Sequence, residues 1–165
     1  MYGDERVIEF LNDQLTAELT AINQYFLHAK LQAHRGWTKL ASASRKESFE
    51  EMTHAELLAD RILWLDGLPN FQRLFPLRIG QTVTEMYQSD RELEAEAIDR
   101  LRDGIEYMES AKDYTSRDLF AQILRDEEEH IEHIDTQLEL IEKLGEPMYI
   151  QTLMTSPDEP HDTNV

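Results

Sequence analysis

Four long stretches of the chain repeat their apolar positions every three or four residues, the period of a helix with one buried face. The first runs from near Asp4 to about His34, with Leu11, Leu15, Ile22, Tyr25 and Ala29 as its stripe. Asp4 and Glu5 suit a helix start, and Arg35-Gly36 ends it. The second runs from about Thr38, as N-cap, to Asp66, with Gly67 as the stop. Its inward row reads Trp37, Leu40, Ala41, Ser44, Ser48, Glu51, Ala55, Leu58, Ile62 and Leu65. Large residues fill both ends of that row and small ones flank Glu51, which leaves room at mid-height. Gly67-Leu68-Pro69-Asn70 opens a connection to about Thr82, with Pro76 and Gly80 inside it. Its length lets it cross the whole bundle, so that the second and third helices lie parallel. The third helix, about Thr82 to Lys112, carries the row Val83, Tyr87, Glu94, Ala97, Leu101, Ile105 and Met108. The fourth, from near Thr115 to Leu144, carries Phe120, Ile123, Ile131, Ile134 and Leu138 and stops at Gly145. Beyond Pro147 the apolar piece from Met148 to Met154 predicts one or two further turns. The expected fold is all-α: a four-helix bundle with a long crossover between helices 2 and 3 and a short C-terminal fifth helix. The bundle is expected to occupy residues 1–155, and the proline- and acid-containing residues 156–165 to form a disordered tail.

Charged residues interrupt these stripes at matching places. Glu51-Met52-Thr53-His54 and Glu127-Glu128-Glu129-His130 each set a carboxylate and an imidazole three residues apart. On a helix that spacing is a rise of about 4.5 Å and a turn of about 60°, so both groups share a face. Glu18 precedes Glu51 by 33 residues and Glu94 precedes Glu127 by 33, the second copy lying 76 residues after the first. A Glu from each of two helices and Glu-x-x-His from the other two is the ligand pattern of ferritin-like di-metal bundles. A carboxylate buried in such a stripe is costly unless paired or metal-bound. Glu129 and His133 also share a face, but with Arg125, Asp126, Glu132 and Thr136 beside them that face reads as solvated.

Composition narrows the chemistry. A formal net charge of -18 excludes nucleic acid and anionic membranes as partners and favours cations. With no cysteine, the ligands are oxygen and nitrogen only, a set that suits iron or manganese. The opening Met1-Tyr2-Gly3-Asp4-Glu5-Arg6 lacks the apolar core of a signal peptide, so a cytoplasmic location is expected. Four carboxylates balance two divalent ions. The pseudo-twofold repeat suggests Glu51 and Glu127 as bridges, Glu18 and Glu94 as terminal ligands, and His54 and His130 one on each metal. Tyr25, two turns beyond Glu18 on the same face, has three open readings: hydrogen bond to a ligand, electron donor, or packing.

The chain resembles a bacterioferritin. The resemblance rests on Gly3-Asp4, Glu18-Leu19-Thr20-Ala21-Ile22-Asn23-Gln24-Tyr25-Phe26-Leu27-His28, Glu50-Glu51-Met52-Thr53-His54-Ala55, Asp60-Arg61-Ile62-Leu63, Gly67-Leu68-Pro69-Asn70 and Leu124-Arg125-Asp126-Glu127-Glu128-Glu129-His130-Ile131. It implies a 24-subunit homo-oligomeric cage and Fe(II) oxidation by O2 or H2O2 at a di-iron site made by the six ligands. Ferric mineral would be stored in the cavity, and a small ferredoxin-like redox protein would assist iron release. It also implies haem b at a twofold interface, with Met52 matching the axial methionine. From its position alone Met52, turned about 100° from Glu51, reads as an interface methionine. Lys46 and Glu50 stand where some relatives place His and Asp as an additional iron stop on the cavity wall. Two other functions share these features. A peroxide-scavenging oxidase or manganese catalase would keep the metals permanently, and a haem-binding shell subunit would leave catalysis to a partner.

Overall fold

The computed structural model describes residues 2–154. Four helices, α1 (Glu5–His34), α2 (Thr38–Trp64), α3 (Val83–Ser110) and α4 (Tyr114–Leu144), form the bundle, and a short α5 (Glu146–Gln151) closes one end. The tail expected at residues 156–165 lies outside the described residues.

The caps explain most boundaries. Asp4 accepts from Arg6 N and Val7 N at 2.8 and 3.0 Å and starts α1. Thr82 and Glu85 form a reciprocal capping box at α3. Two expected boundaries shift. Thr38 is the first residue of α2 rather than its cap, a place taken by Trp37 without a side-chain hydrogen bond. The fifth helix begins at Glu146, ahead of the expected Met148, because Pro147 sits in its first turn, where a missing N–H costs nothing.

Helix α1 packs along α2 and α3 along α4, while α1–α3 and α2–α4 contacts close the square. Gly3 N donates to Leu65 O at 3.0 Å, so the start of α1 and the end of α2 share one pole. From there the chain climbs the outside of α1 to the opposite pole, and α3 starts parallel to α2. An irregular connection must find partners for its backbone groups, and α1 offers polar side chains at every fourth residue. Asn70 N–H donates to Asn12 Oδ1 at 2.8 Å, Arg73 Nε–H to Thr16 Oγ1 at 3.0 Å and Phe75 N–H to Thr20 Oγ1 at 2.9 Å. Arg78 N–H donates to Gln24 Oε1 and Gly80 N–H to His28 Nε2, both at 3.0 Å. Gly80 allows the turn into α3, since a Cβ there would stand 2.3 Å from Met86 N.

The core has two large clusters, one at each pole, and a small third one of Ala21, Tyr25 and Leu93. Val7, Leu11, Leu15, Leu58, Ile62, Leu101, Met108, Phe120 and Ile123 fill one pole. Leu40, Val83, Tyr87, Ile134, Ile141, Tyr149 and Leu153 fill the other, with α5 folded over them. Between the two clusters the helices present Glu18, Glu51, His54, Glu94 and Glu127, all buried. Among the described residues no helix is long and apolar enough to cross a membrane.

Candidate metal centre

The helical register brings all six expected residues together at mid-height, one glutamate each from α1 and α3 and a Glu-His pair each from α2 and α4. His54 Nδ1 lies 3.1 Å from Glu127 Oε1, 3.4 Å from Glu51 Oε2 and 3.6 Å from Glu18 Oε2. His130 Nδ1 lies 3.2 Å from Glu51 Oε1, 3.3 Å from Glu127 Oε2 and 4.0 Å from Glu94 Oε1. Glu51 and Glu127 therefore each turn one oxygen to one histidine and the other oxygen to the second. The result is two groups of four side chains that could each hold a metal ion, Glu18-Glu51-His54-Glu127 and Glu51-Glu94-Glu127-His130, which share two carboxylates. Small residues leave the space between them: Ala17, Ala21 and Ala97 help to line a cavity of about 10 Å³ beside Glu18, Glu51, Glu94 and Glu127.

Of the residues that hold these side chains from behind, sequence periodicity pointed to Tyr25 alone. Gln14 Nε2 donates to Glu18 Oε1 at 2.9 Å from one turn earlier on α1. Tyr25 Oη donates to Glu94 Oε1 at 2.7 Å, which matches the hydrogen-bonding reading of that residue. His54 Nε2 donates to Asp126 Oδ2 at 2.8 Å, although Asp126 had read as part of a solvated face. His130 Nε2 lies 2.7 Å from Glu47 Oε2 and 3.4 Å from Glu50 Oε2. Gln14 could have been found from its place one turn before Glu18. Asp126 and Glu47 had no signal in a single helix, because each reaches across to another. Glu129 and His133 are exposed, as their face predicted.

The electrostatics are those of a site built for cations. Burial raises the Glu51 carboxyl well above its ordinary pKa, and repulsion from Glu18 and Glu127 adds to it. Burial pushes Glu127 the same way, but His130 and His54 outweigh it and leave its pKa lowered. Burial disfavours charge on both histidines, yet their carboxylate neighbours raise them far above the usual imidazole range. Two imidazolium protons thus stand where two metal ions would neutralise the glutamates. Burial, then Asp90 and Glu51, raise the Tyr25 hydroxyl well above its ordinary value and keep it protonated. Glu51 Oε1 and Oε2, Glu127 Oε1 and His54 Nδ1 are buried without a well-formed hydrogen bond. Orphaned oxygens of this kind, facing inward beside a ring nitrogen that gains a lone pair once its proton leaves, fit a metal-filled centre.

Met52 lies apart from this centre, 49% exposed on the outer side of α2. Phe26 and Phe49 are exposed as well, and the Arg45 guanidinium lies 5.6 Å from the ring centre of Phe26 and 5.2 Å from that of Phe49.

The ferritin-like domain family matches residues 8–144. A bacterioferritin of Streptomyces coelicolor is 68% identical over 160 residues, covering 96% of this chain and 96% of that protein. The structure of Mycobacterium tuberculosis bacterioferritin BfrA superposes with a TM-score of 0.94 at 52% identity, over 95% of this chain and 99% of that one. Rhodobacter capsulatus bacterioferritin, described with a metal-free dinuclear site and a haem iron in a crystallographic special position, superposes at 0.95 with 41% identity. It covers 97% of this chain and 100% of that one. With its buried carboxylate–imidazole centre on a one-crossover bundle, this chain belongs to the bacterioferritin family.

Proposed function

We propose that the protein stores iron and that the buried centre is a ferroxidase site, with Fe(II) as substrate and O2 or H2O2 as oxidant. The observation that carries the reading is the pair of ligand groups sharing Glu51 and Glu127, with carboxylate oxygens orphaned inside the bundle. In this reading Glu51 and Glu127 bridge, Glu18 and Glu94 are terminal, and His54 and His130 bind one ion each. Two Fe(II) ions held side by side can give two electrons together and become Fe(III), reducing O2 with two protons to H2O2, or H2O2 with two protons to two waters, without releasing a radical. Gln14 occupies Oε1 of Glu18 and leaves Oε2 toward His54, while Tyr25 anchors Glu94 through Oε1, the oxygen that also lies nearest His130. The histidines give up their protons when metal enters, and Tyr25 keeps its own at neutral pH.

Iron released from such a centre needs a compartment, and the family relationship supports a homo-oligomeric 24-subunit cage. Haem b fits the outer face of α2, where an exposed thioether sits among exposed aromatic rings. One methionine from each of two copies would ligate it across a twofold axis. The special position of the haem iron in the Rhodobacter capsulatus protein agrees with that arrangement. When bound, the haem would supply a one-electron carrier between a small ferredoxin-like donor and the stored mineral.

Loading with many Fe(II) per subunit in air should yield a soluble ferric mineral that co-elutes with the protein on gel filtration. Turnover of H2O2 with O2 evolution and no retained iron would overturn the storage reading.

A cleft of about 300 Å³ between α2 and α4 opens onto the centre and is lined by Glu50, Asp126, Glu129, His54 and His130. The acidic residues divide by direction. Glu128 and Asp135 pair with Arg102 and Arg91 on α3, whereas Glu50 and Glu129 line this cleft. Acid focused in a cleft raises cation entry by about 10–10³-fold at low salt, and at 1 M salt the Debye length is only about 3 Å. Iron uptake should therefore slow strongly with added salt while single-turnover oxidation of preloaded Fe(II) barely changes. Equal, flat salt responses of the two steps would refute guidance by this cleft.

A further inference from the structure

Glu50 and Asp126 occupy the same place in the two halves of the repeat, each immediately before the glutamate of a Glu-x-x-His stretch. The fold exchanges them. Asp126, on α4, accepts from His54 Nε2 on α2 at 2.8 Å, and Glu50, on α2, lies 3.4 Å from His130 Nε2 on α4. Both rings consequently point Nδ1 into the centre and Nε2 out toward a carboxylate. A neutral imidazole has one N–H and one lone pair. A carboxylate that accepts a hydrogen bond from Nε2–H holds the proton on Nε2 and leaves the lone pair on Nδ1, the atom that faces the other glutamates.

The halves differ in one respect. Glu47, one turn before Glu51, brings a buried Oε2 to 2.7 Å from His130 Nε2, an ion-pair contact whose angle falls short of a formed hydrogen bond and leaves this oxygen no other partner. Its counterpart in the other half is Ile123, buried in the apolar core. The outer edge of His130 thus meets two carboxylates, whereas His54 relies on Asp126. The Asp126 side chain is 43% exposed, so its charge is partly solvated and its hydrogen bond is not needed to satisfy a buried group.

Given the dinuclear reading above, on which this rests, we propose that Asp126 and Glu47 are positioning residues, each fixing tautomer and ring orientation of a histidine on the opposite helix. Asp126 then governs the metal position of Glu18 and His54, and Glu47 with Glu50 governs that of Glu94 and His130. The two positions are tuned separately and are not equivalent.

Co(II) tests this without turnover, because its visible d–d absorption reports both occupancy and ligand geometry. Metal-stripped wild-type protein should bind two Co(II) per subunit. Asp126→Ala should weaken one of them by about 10–100-fold, the usual effect of losing an outer-shell partner of a ligating histidine, and alter half of the d–d band. Glu47→Ala combined with Glu50→Ala should weaken the other. Asp126→Asn keeps a carbonyl acceptor and loses only the charge, so it should bind more tightly than Asp126→Ala and fall short of that loss of about 10–100-fold. Both side chains are partly exposed, and far-UV circular dichroism should show unchanged helix content. Fewer than two sites in the wild type would sink the dinuclear reading and this proposal with it. Two tight sites that persist with an unaltered spectrum in Asp126→Ala would overturn positioning alone. So would an Asp126→Asn variant as weak as Asp126→Ala, which would make Asp126 a mere source of negative charge.

Discussion

Glu51→Gln and Glu127→Gln should both lose rapid Fe(II) oxidation, yet move the stability of the metal-free protein in opposite directions. Each substitution replaces one of two carboxylate oxygens that face separate histidines with an NH2 that cannot bind a metal, so the side chain can no longer bridge the two ion positions. The initial rate in stopped-flow absorbance should fall by more than about 100-fold, beyond the 10–100-fold typical of an outer-shell change. The stability signs come from the empty site. Burial and repulsion raise the Glu51 pKa, so its ionised form opposes folding above its ordinary range, and the strain is relieved as pH falls. A neutral glutamine removes that cost, and the metal-free variant should melt at the same temperature as wild type or higher at pH 7. Glu127 has the opposite sign. Its pKa is lowered by His130 and His54, so its contribution is present above the ordinary glutamate range and fades as pH falls through the lowered value. Losing that charge-assisted contact should cost about 1.5–3 kcal/mol. Chelator-treated protein compared by thermal melting decides the matter. Wild-type oxidation in either variant would sink the assignment of the bridges, and equal shifts in melting would sink the electrostatic account.

How much of this was legible beforehand depends on whether a residue acts within one helix or between two. The four glutamates and Tyr25 were readable because each sits in an apolar stripe of its own helix, and His54 and His130 because the three-residue spacing puts each on the face of its glutamate. Asp126 sits on the polar side of the same helix, 100° from Glu127 in an ideal helix, and there periodicity cannot tell solvent from a neighbouring helix. Only the exchange of Glu50 and Asp126 between halves gives it away. The ladder from Asn12 through Thr16, Thr20 and Gln24 to His28 is another between-element feature. Its four-residue step was present in the sequence, but polar residues beside a buried stripe look like an ordinary helix flank until the crossover is laid over them. Thr38 failed as a cap because a favourable residue type does not ensure the extended backbone that capping needs. The start of α5 was set by Pro147, whose restricted φ suits a first helical turn as well as a stop. In each case local chemistry allowed two outcomes and long-range packing chose one.

Met52→Leu should empty the haem site and leave the di-metal centre working. Leucine keeps the volume and apolar character of the side chain, so an interface built on this face should still form. What it removes is the thioether sulfur, the atom that would bind haem iron. Met52 points away from the bundle interior and is half-exposed, while its neighbour Glu51 is almost completely buried. A single turn of helix thus carries two chemistries on separate faces, and one can be deleted without the other. Haem content per subunit should fall to near zero, while initial Fe(II) oxidation in the same preparation matches wild type. Met52→His supplies a nitrogen in place of the sulfur, so haem should be retained with a changed spectrum and a lower potential, as the axial ligand sets both. The null is that Met52 is only an interface methionine, with haem either absent or held elsewhere. An unaltered haem spectrum at full occupancy in the Leu variant would establish that null. Haem loss accompanied by loss of the assembled oligomer would instead mean that Met52 holds the two copies together. Absorbance, haem quantitation and gel filtration on one sample separate these outcomes, and the independence of iron oxidation from haem is the result that the geometry of α2 demands.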